Sequence, residues 1–370
     1  MTASCFLDVA PNFALYPLNV FRDETALHVG VRSIANQWQD VLQSKPHLRV
    51  HPRLLPTARN VQAVLSLAPE TSWKHDGTVV AVHGGNLATE VELGEPEMLR
   101  DCGDVFERVA QGLQDDLERL KLAWRLRTLN EEERDAWASR GIVVNGPMDR
   151  IHLGPGATLR DGSYNTESGD IVIGPSAEVM EGCRIRGPFA LGEGSTLRMG
   201  SLVYGPTTIG KGCKVGGEVS NVVIHDYSNK AHGGFLGNSV LGSWCNLGAE
   251  TTCSNLKNTY GPIAEWNAET GTFESQGRTF CGLFLGDHSK TAIHTAFSTA
   301  TVVGVMCNVF GTGTPPRHLP SFTWGVDAPQ THDVDRALAT ASKAMARRNQ
   351  GLSPTDEARI RKAFEDVQRA

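Results

Sequence analysis

Residues 173–219 read IGPSAEVMEGCRIRGPFALGEGSTLRMGSLVYGPTTIGKGCKVGGEV. Every sixth residue from Ile173 is aliphatic: Ile173, Val179, Ile185, Leu191, Leu197, Val203, Ile209 and Val215. Four places after each stand Ala177, Cys183, Phe189, Ser195, Ser201, Thr207, Cys213 and Val219, nearly all small. Glycine directly follows the aliphatic residue at Gly174, Gly192, Gly210 and Gly216. A fixed short period is the mark of a stacked-coil solenoid, and six is a period of β-helices. Three six-residue edges close one triangular turn, so each aliphatic side chain points into a prism and stacks on its equivalent in the next coil. A strand-rich sandwich would instead show period two and irregular turn spacing.

Outside this stretch the register is broken. It begins weakly at Leu153 and Leu159, and a polar loop over 163–170 interrupts it. A second break, 221–234, precedes a return at Phe235, Leu241, Leu247 and Cys253. A longer excursion over 254–283 holds AEWNAETGTFES, which reads as a hairpin, before the register resumes at Leu285, Thr291, Phe297, Val303 and Val309. Repeats stop after Gly313. Asp333 to Asn349 reads as a helix, and Ser353 and Pro354 cap a last one, placed to cover the open end of the solenoid. Residues 1–145 carry no repeat. Phe6 to Val9, Val79 to Val82 and Ile142 to Val144 read as strands, and Val105 to Leu126 as one amphipathic helix. The expected organisation is therefore a small α/β domain (1–145), a mainly β domain forming a parallel β-helix (146–314), and a C-terminal crossing segment with helices (315–370).

The totals narrow the function. A chain of 370 residues with a net charge of −6 has no basic surface to suggest nucleic acid or an anionic membrane. It has no apolar run long enough to span a bilayer, and its first residues lack a signal-peptide pattern, so a cytoplasmic location is the default expectation. The 8 cysteines are scattered without a CxxC pair. Cys183, Cys213, Cys245 and Cys307 fall at the small position of the repeat and read as buried small residues, neither disulfides nor zinc ligands.

Chemistry is best sought where the period fails. Glu218, His225, Lys230, His232, Asn246, Asn255 and Lys257 gather there. A histidine held by a carboxylate is the usual base for removing a proton from a hydroxyl or amine. Glu218 and His232 lie about one coil apart, so stacking brings them together. The bland alternative is a surface-loop histidine beside two glycines.

The phrases GGEVSN, YSNKAHGGFLGNSVLG, WCNLGAETTCSNLKN, FCGLFLGDHSK, TVVGV and MARRN resemble the GlmU-like sugar-nucleotidyltransferase proteins. The shorter stretch from GGEVSN to CSNLKN also looks like the acetyltransferase half of bifunctional GlmU, but the closer resemblance is to the GlmU-like group. It covers over half the chain, with a weaker trace in LYPLNVFRDETALHVGVRSI. The resemblance implies a left-handed parallel β-helix, a homotrimer, and acyl-CoA sites at subunit boundaries. It implies His232 as general base and Glu218 as the residue orienting it. Asn246 and Asn255 match substrate-binding asparagines, and Phe235 stands where the bifunctional enzymes carry tyrosine. The activity implied is acyl transfer from acetyl-CoA or another acyl-CoA to a sugar phosphate or nucleotide sugar.

The departures are specific. Ser220 occupies the position of a phosphate-binding lysine, and an upstream sugar-phosphate arginine has no equivalent; Lys230, Lys257 or Arg198 is left to supply charge. The glycine-rich triphosphate loop of the nucleotidyltransferases is missing before Gly146; HGGN at 83–86 is a lone glycine pair, and Arg22 reads as a salt-bridge residue. Sugar-1-phosphate nucleotidyl transfer, which needs Mg²⁺, is one rival reading. A non-catalytic solenoid that binds a sugar nucleotide is another.

Overall fold

The structure is a computed structural model that describes residues 5–9, 13–85 and 88–369. Its centre is the expected left-handed parallel β-helix. On the first face the inward residues Leu153, Ile173, Leu191, Ile209, Ile224 and Leu241 pair coil to coil in parallel register. Leu285, Val303 and Leu319 continue that stack. The second face stacks Leu159, Val179, Leu197 and Val215. The third stacks Val144, Tyr164, Ile185, Val203, Val219 and Leu236. These side chains form one continuous buried cluster. Burying each Val, Leu or Ile contributes about 1.5–3 kcal/mol, the main driving term for closing the coils.

The corners follow from the same period. Three residues after the inward one the backbone enters the left-handed region, at Gly194 and Gly212 but also at Ser176, Tyr227, Trp244, His288 and Met306. Two corners between the third and first faces carry cis prolines instead, Pro188 and Pro206. The small positions at one corner form a ladder. Ser195 Oγ accepts from Cys213 N at 2.8 Å and donates to Gly210 O at 2.6 Å. Ser228 does the same with Cys245 N and Gly242 O, and Ser289 with Cys307 N and Gly304 O. The expected corner cysteines are buried and free, and burial pushes the Cys245 thiol up to about 12.

Several boundaries differ from the sequence expectation. The segment expected to interrupt the repeat contains a strand, Gly162–Asn165, because Tyr164 fills the inward position with its hydroxyl donating to Arg160 O. Ile142–Asn145 pairs in parallel with that strand as a rung of the solenoid. After the Gly233–Gly234 corner the inward residue is Leu236, five residues before the inward Leu241, and Phe235 faces out. Coils also continue past Gly313, through Leu319 and Thr323–Trp324. Phe6 makes one bridge to Val50 instead of beginning a strand. The predicted long helix is two, Gly103–Glu107 and Val109–Ala123, separated at Arg108. The hairpin is present as Ala264–Asn267 against Thr272–Ser275.

The N-terminal part builds a four-stranded sheet from Leu48–Val50, Thr78–His83, Thr71–His75 and Thr89–Val91, in that order. Of the HGGN stretch, Asn86 lies outside the described residues. This layer does not stand apart from the solenoid. Val172, Ala190, Val223, Val240, Phe284 and Val302, which point outward from the first face, are core residues of the N-terminal layer. A buried arginine fastens the contact. Arg278, just after the hairpin, pairs with Asp101 at 2.8 Å, Asp104 at 3.1 Å and Glu107 at 2.8 Å on one side, and with Glu265 of the hairpin at 3.1 Å. The C-terminal helices, Val334–Ala346 and Pro354–Arg369, lie against the last coils through Val305, Met306 and Phe322.

Removing the guanidinium leaves the buried Asp104 and Glu265 carboxylates facing Asp101 and Glu107 without it. Arg278→Ala is expected to cost about 3–5 kcal/mol in urea unfolding near neutral pH. The loss should shrink in acid as the carboxylates take up protons. An unchanged midpoint would show that the clamp does not hold the two layers together.

Candidate active site

The coils running from Val215 to Cys253 differ from their neighbours in what they place inside the prism. Lys230 pairs with Val215 in the second-face stack, so its side chain enters the core where an aliphatic residue belongs. It is 1% exposed. The ammonium is satisfied by backbone: Nζ donates to Gly216 O at 2.8 Å, His232 O at 3.1 Å and Gly233 O at 3.5 Å. Lys230, expected as a substrate contact, therefore faces away from any substrate, because the strand alternation sends it inward. What it does is tie the turn carrying His232 to the coil below.

His232 itself stands exposed at the corner between the second and third faces. Glu218 begins the third-face strand on the neighbouring rung, and its N–H donates to Gly234 O at 3.4 Å. The two residues are thus brought to the same corner, as expected. Their side chains are not in contact: among the described residues neither forms an ion pair or a side-chain hydrogen bond. A second carboxylate, Glu250, lies over Gly233, where an added Cβ would run into it. Sequence reading missed Glu250, since it sits in a left-handed corner position normally filled by glycine and belongs to no catalytic motif.

Phe235 pairs with Glu218 across adjacent rungs. Gly237, two residues on, is flanked by the Phe235 ring and the Asn255 amide, and Asn255 Nδ2 donates to Asn238 Oδ1 at 2.8 Å. Glu218, His232, Phe235 and Asn255 thus share the third face and its corner. Asn246 does not join them; it bridges Asn229 and Lys290 on the second face. Lys257 is occupied within the excursion, donating to Pro262 O at 2.7 Å.

Positive charge is nonetheless present near this corner. Arg184 and Arg186 point outward on the third face in the rungs below Glu218 and Ser220, in columns through Leu202 and Tyr204. Arg198 lies on the His232 corner, with its Cβ beside Gly216. All three are exposed and, among the described residues, outside any ion pair. Rungs are about 4.8 Å apart, so the backbone of these arginines lies two rungs, roughly 10 Å, below that of Glu218 or His232. Sequence reading missed Arg184 and Arg186, although the alternation of RIR around the inward Ile185 is a signal that places both on the outer side of one strand.

No family model matches the chain. In sequence it is similar to the bifunctional protein GlmU of Rippkaea orientalis, 28% identical over 201 residues, covering 46% of this chain and 41% of the relative. GlmU of Synechococcus elongatus is 22% identical over 263 residues, covering 65% and 50%. GlmU of Thermodesulfovibrio yellowstonii is 27% identical over 160 residues, covering 37% and 35%. The chain thus spans about half the length, or less, of the curated relatives it matches, and the resemblance to GlmU read from its motifs holds. Among solved structures, the polySia-specific acetyltransferase NeuO overlaps 51% of this chain and 85% of its own at a TM-score of 0.27 and 8% identity. Arabidopsis UDP-N-acetylglucosamine acyltransferase overlaps 62% and 89% at 0.25 and 13%. No helix among the described residues is long and apolar enough to cross a membrane.

Burial lowers Lys230 from 10.5 to about 8, against the opposing pull of Glu250 and Glu218. Between these values the folded chain releases a proton that the unfolded chain keeps, so this group makes stability rise with pH across that window. Lys230→Met removes the effect. From pH 7.5 to 10.5 the wild-type chain is expected to gain on the variant by about 1–3 kcal/mol in denaturant unfolding. Parallel pH curves for the two would place the ammonium in water.

Proposed function

We propose that the chain transfers an acyl group from acetyl-CoA or another acyl-CoA to the amine or hydroxyl of a sugar phosphate or nucleotide sugar, with His232 as general base. The observation that carries this reading is the His232 turn: an exposed imidazole on a loop held from inside the prism by Lys230, with Glu218 one rung below and Glu250 one rung above. The motif similarity to the acetyltransferase half of GlmU falls on the same stretch. In the reaction, the acceptor nitrogen or oxygen attacks the thioester carbonyl while His232 takes its proton. The carbonyl re-forms, the C–S bond breaks, and the departing CoA sulfur receives the proton back from the imidazolium.

Nearby carboxylates stabilise the positive charge that the His232 ring takes on in the transition state. Glu218 takes this orienting role once the acceptor and CoA close over the corner. Arg184, Arg186 and Arg198 hold phosphate oxygens of the acceptor or of CoA, replacing the lysine whose place Ser220 occupies. Phe235 and Asn255 line the acceptor side. We further propose that the chain works as a cytoplasmic homotrimer, with the third face, where Tyr204 and Val143 stand exposed, turned toward a neighbouring subunit that completes the CoA site.

A thermal-shift panel tests the class of reaction. Acetyl-CoA is expected to raise the melting temperature by mass action, while stabilisation by UTP with Mg²⁺ and none by CoA would replace acyl transfer with nucleotidyl transfer. In a free-thiol release assay, His232→Ala should lower kcat by about 10²–10⁴-fold with the melting temperature kept. Arg186→Ala and Arg198→Ala should raise KM for a phosphorylated acceptor while leaving kcat near its wild-type value. Unchanged turnover in His232→Ala would remove that residue from the mechanism.

A further inference from the structure

A cavity of about 310 Å³ lies at the other edge of the second face, away from the His232 corner. Three distant parts of the chain enclose it: the segment around Arg22 and His28, the coil corners at 225–226, 243–244 and 287–288, and the two C-terminal helices. The corner changes character where it is covered. Lower coils turn through Gly192-Glu193-Gly194 and Gly210-Lys211-Gly212, whereas the covered ones turn through His225-Asp226-Tyr227, Ser243-Trp244 and Asp287-His288. Corners that need only a left-handed residue have no use for such side chains.

The polar groups in the cavity are set in place but incompletely used. Arg22, read from sequence as a surface salt-bridge residue, is nearly buried and grips Asp287 with two nitrogens, with Nε 3.1 Å from Oδ2. His225 is fixed as a neutral ring, with Nδ1 2.9 Å from Leu241 O and Nε2 accepting from His28 N at 3.2 Å. The Nδ1 atoms of His28 and His288 are buried without a partner. Burial holds both rings below the usual histidine range, His288 at about 3, so they stay neutral. Trp244 stacks on Tyr227 at 4.3 Å and stands parallel to His288 at 6.1 Å, so it offers the cavity its edge. Phe21, Met345, Leu352 and Ile360 supply an apolar side.

We infer that this cavity binds a neutral, hydroxyl-rich small molecule, a glycosyl group of one or two rings. Three carboxylates line it against two guanidiniums, and Asp287 already neutralises Arg22, so an anion would meet net repulsion. No group of three His, Cys, Asp or Glu side chains among the described residues converges as a metal site requires. Sugar hydroxyls both donate and accept, which matches neutral imidazoles, the Asp226 carboxylate and the edge of Trp244 together. Their C–H faces suit the apolar side. Volumes near 300 Å³ are at the lower end for ligand sites and large enough for such a group. A buried imidazole nitrogen without a partner is destabilising, a cost that a bound hydroxyl relieves.

Isothermal titration and saturation-transfer NMR of the full chain with glucose, N-acetylglucosamine and maltose test this, with glucose 6-phosphate and adenosine as comparisons. At least one neutral sugar should saturate with a Kd below about 10 mM. His288→Phe keeps the ring against Trp244 and removes its nitrogens. Asp226→Asn keeps an oxygen for the cap that Asp226 gives Lys211 N. Each should weaken that sugar by about tenfold or more with the melting temperature kept. His232→Ala should leave it unchanged, which separates this site from the proposed acyl-transfer site. The inference is overturned if no neutral sugar saturates, if glucose 6-phosphate or adenosine binds more tightly than all of them, or if both corner variants bind as the wild type does.

Discussion

The inward side chains of all three edges meet in one narrow, fully buried core, and everything else in the molecule answers to that restriction. An aliphatic residue satisfies it by stacking on its equivalents above and below. A polar residue satisfies it only by bringing its partners into the wall. Lys230 does so with two carbonyls of its own turn and one of the coil below. Thr291, in the same second-face stack, shares a hydrogen bond with Thr251 at 2.8 Å and accepts from Gly248 N. The serine ladder at the other corner solves the same problem for the backbone amides of Cys213, Cys245 and Cys307. Buried polar groups that are fully satisfied rigidify what surrounds them, and the Lys230 cluster lies directly behind the His232 turn.

The outer surface of the solenoid is divided by task. The first face is apolar on its outside as well as its inside, and the N-terminal layer uses it as half of a core. Arg278 closes that contact with four carboxylates drawn from both sides. The corner between the first and second faces is roofed by Arg22, His28 and the C-terminal helices. The third face carries Arg184 and Arg186 with Glu218 and Phe235 above them, and among the described residues it lacks such a cover. The chemistry proposed for this chain sits on that side, and the proposed glycosyl cavity sits under the roof.

Particular residues show how much could be read beforehand. Ile173 to Val215 declare the solenoid because a strict period of six has one structural cause. The hairpin after Ala264 and both C-terminal helices were visible from turn and cap chemistry. Tyr164 and Lys230 were misread because each is too polar or too large to look like a stacking residue until its partners are known. Phe235 was misplaced by one position because the step from the inward Leu236 to the inward Leu241 is five residues and not six, so counting back from Leu241 by the period lands one residue early. Asn246 and Asn255 look alike in the chain yet stand on different faces.

By itself the sequence determined the repeat, its inward residues and the stretch where it breaks, because local periodicity and the left-handed corners are properties of neighbouring residues. It also placed His232 and Glu218 about one coil apart. Only the tertiary structure decided which way Lys230 points, which carboxylates and arginines share a corner with His232, and that Arg22 reaches Asp287 across the chain. Those are contacts between residues far apart in sequence, fixed by corner lengths and by which layer covers which face.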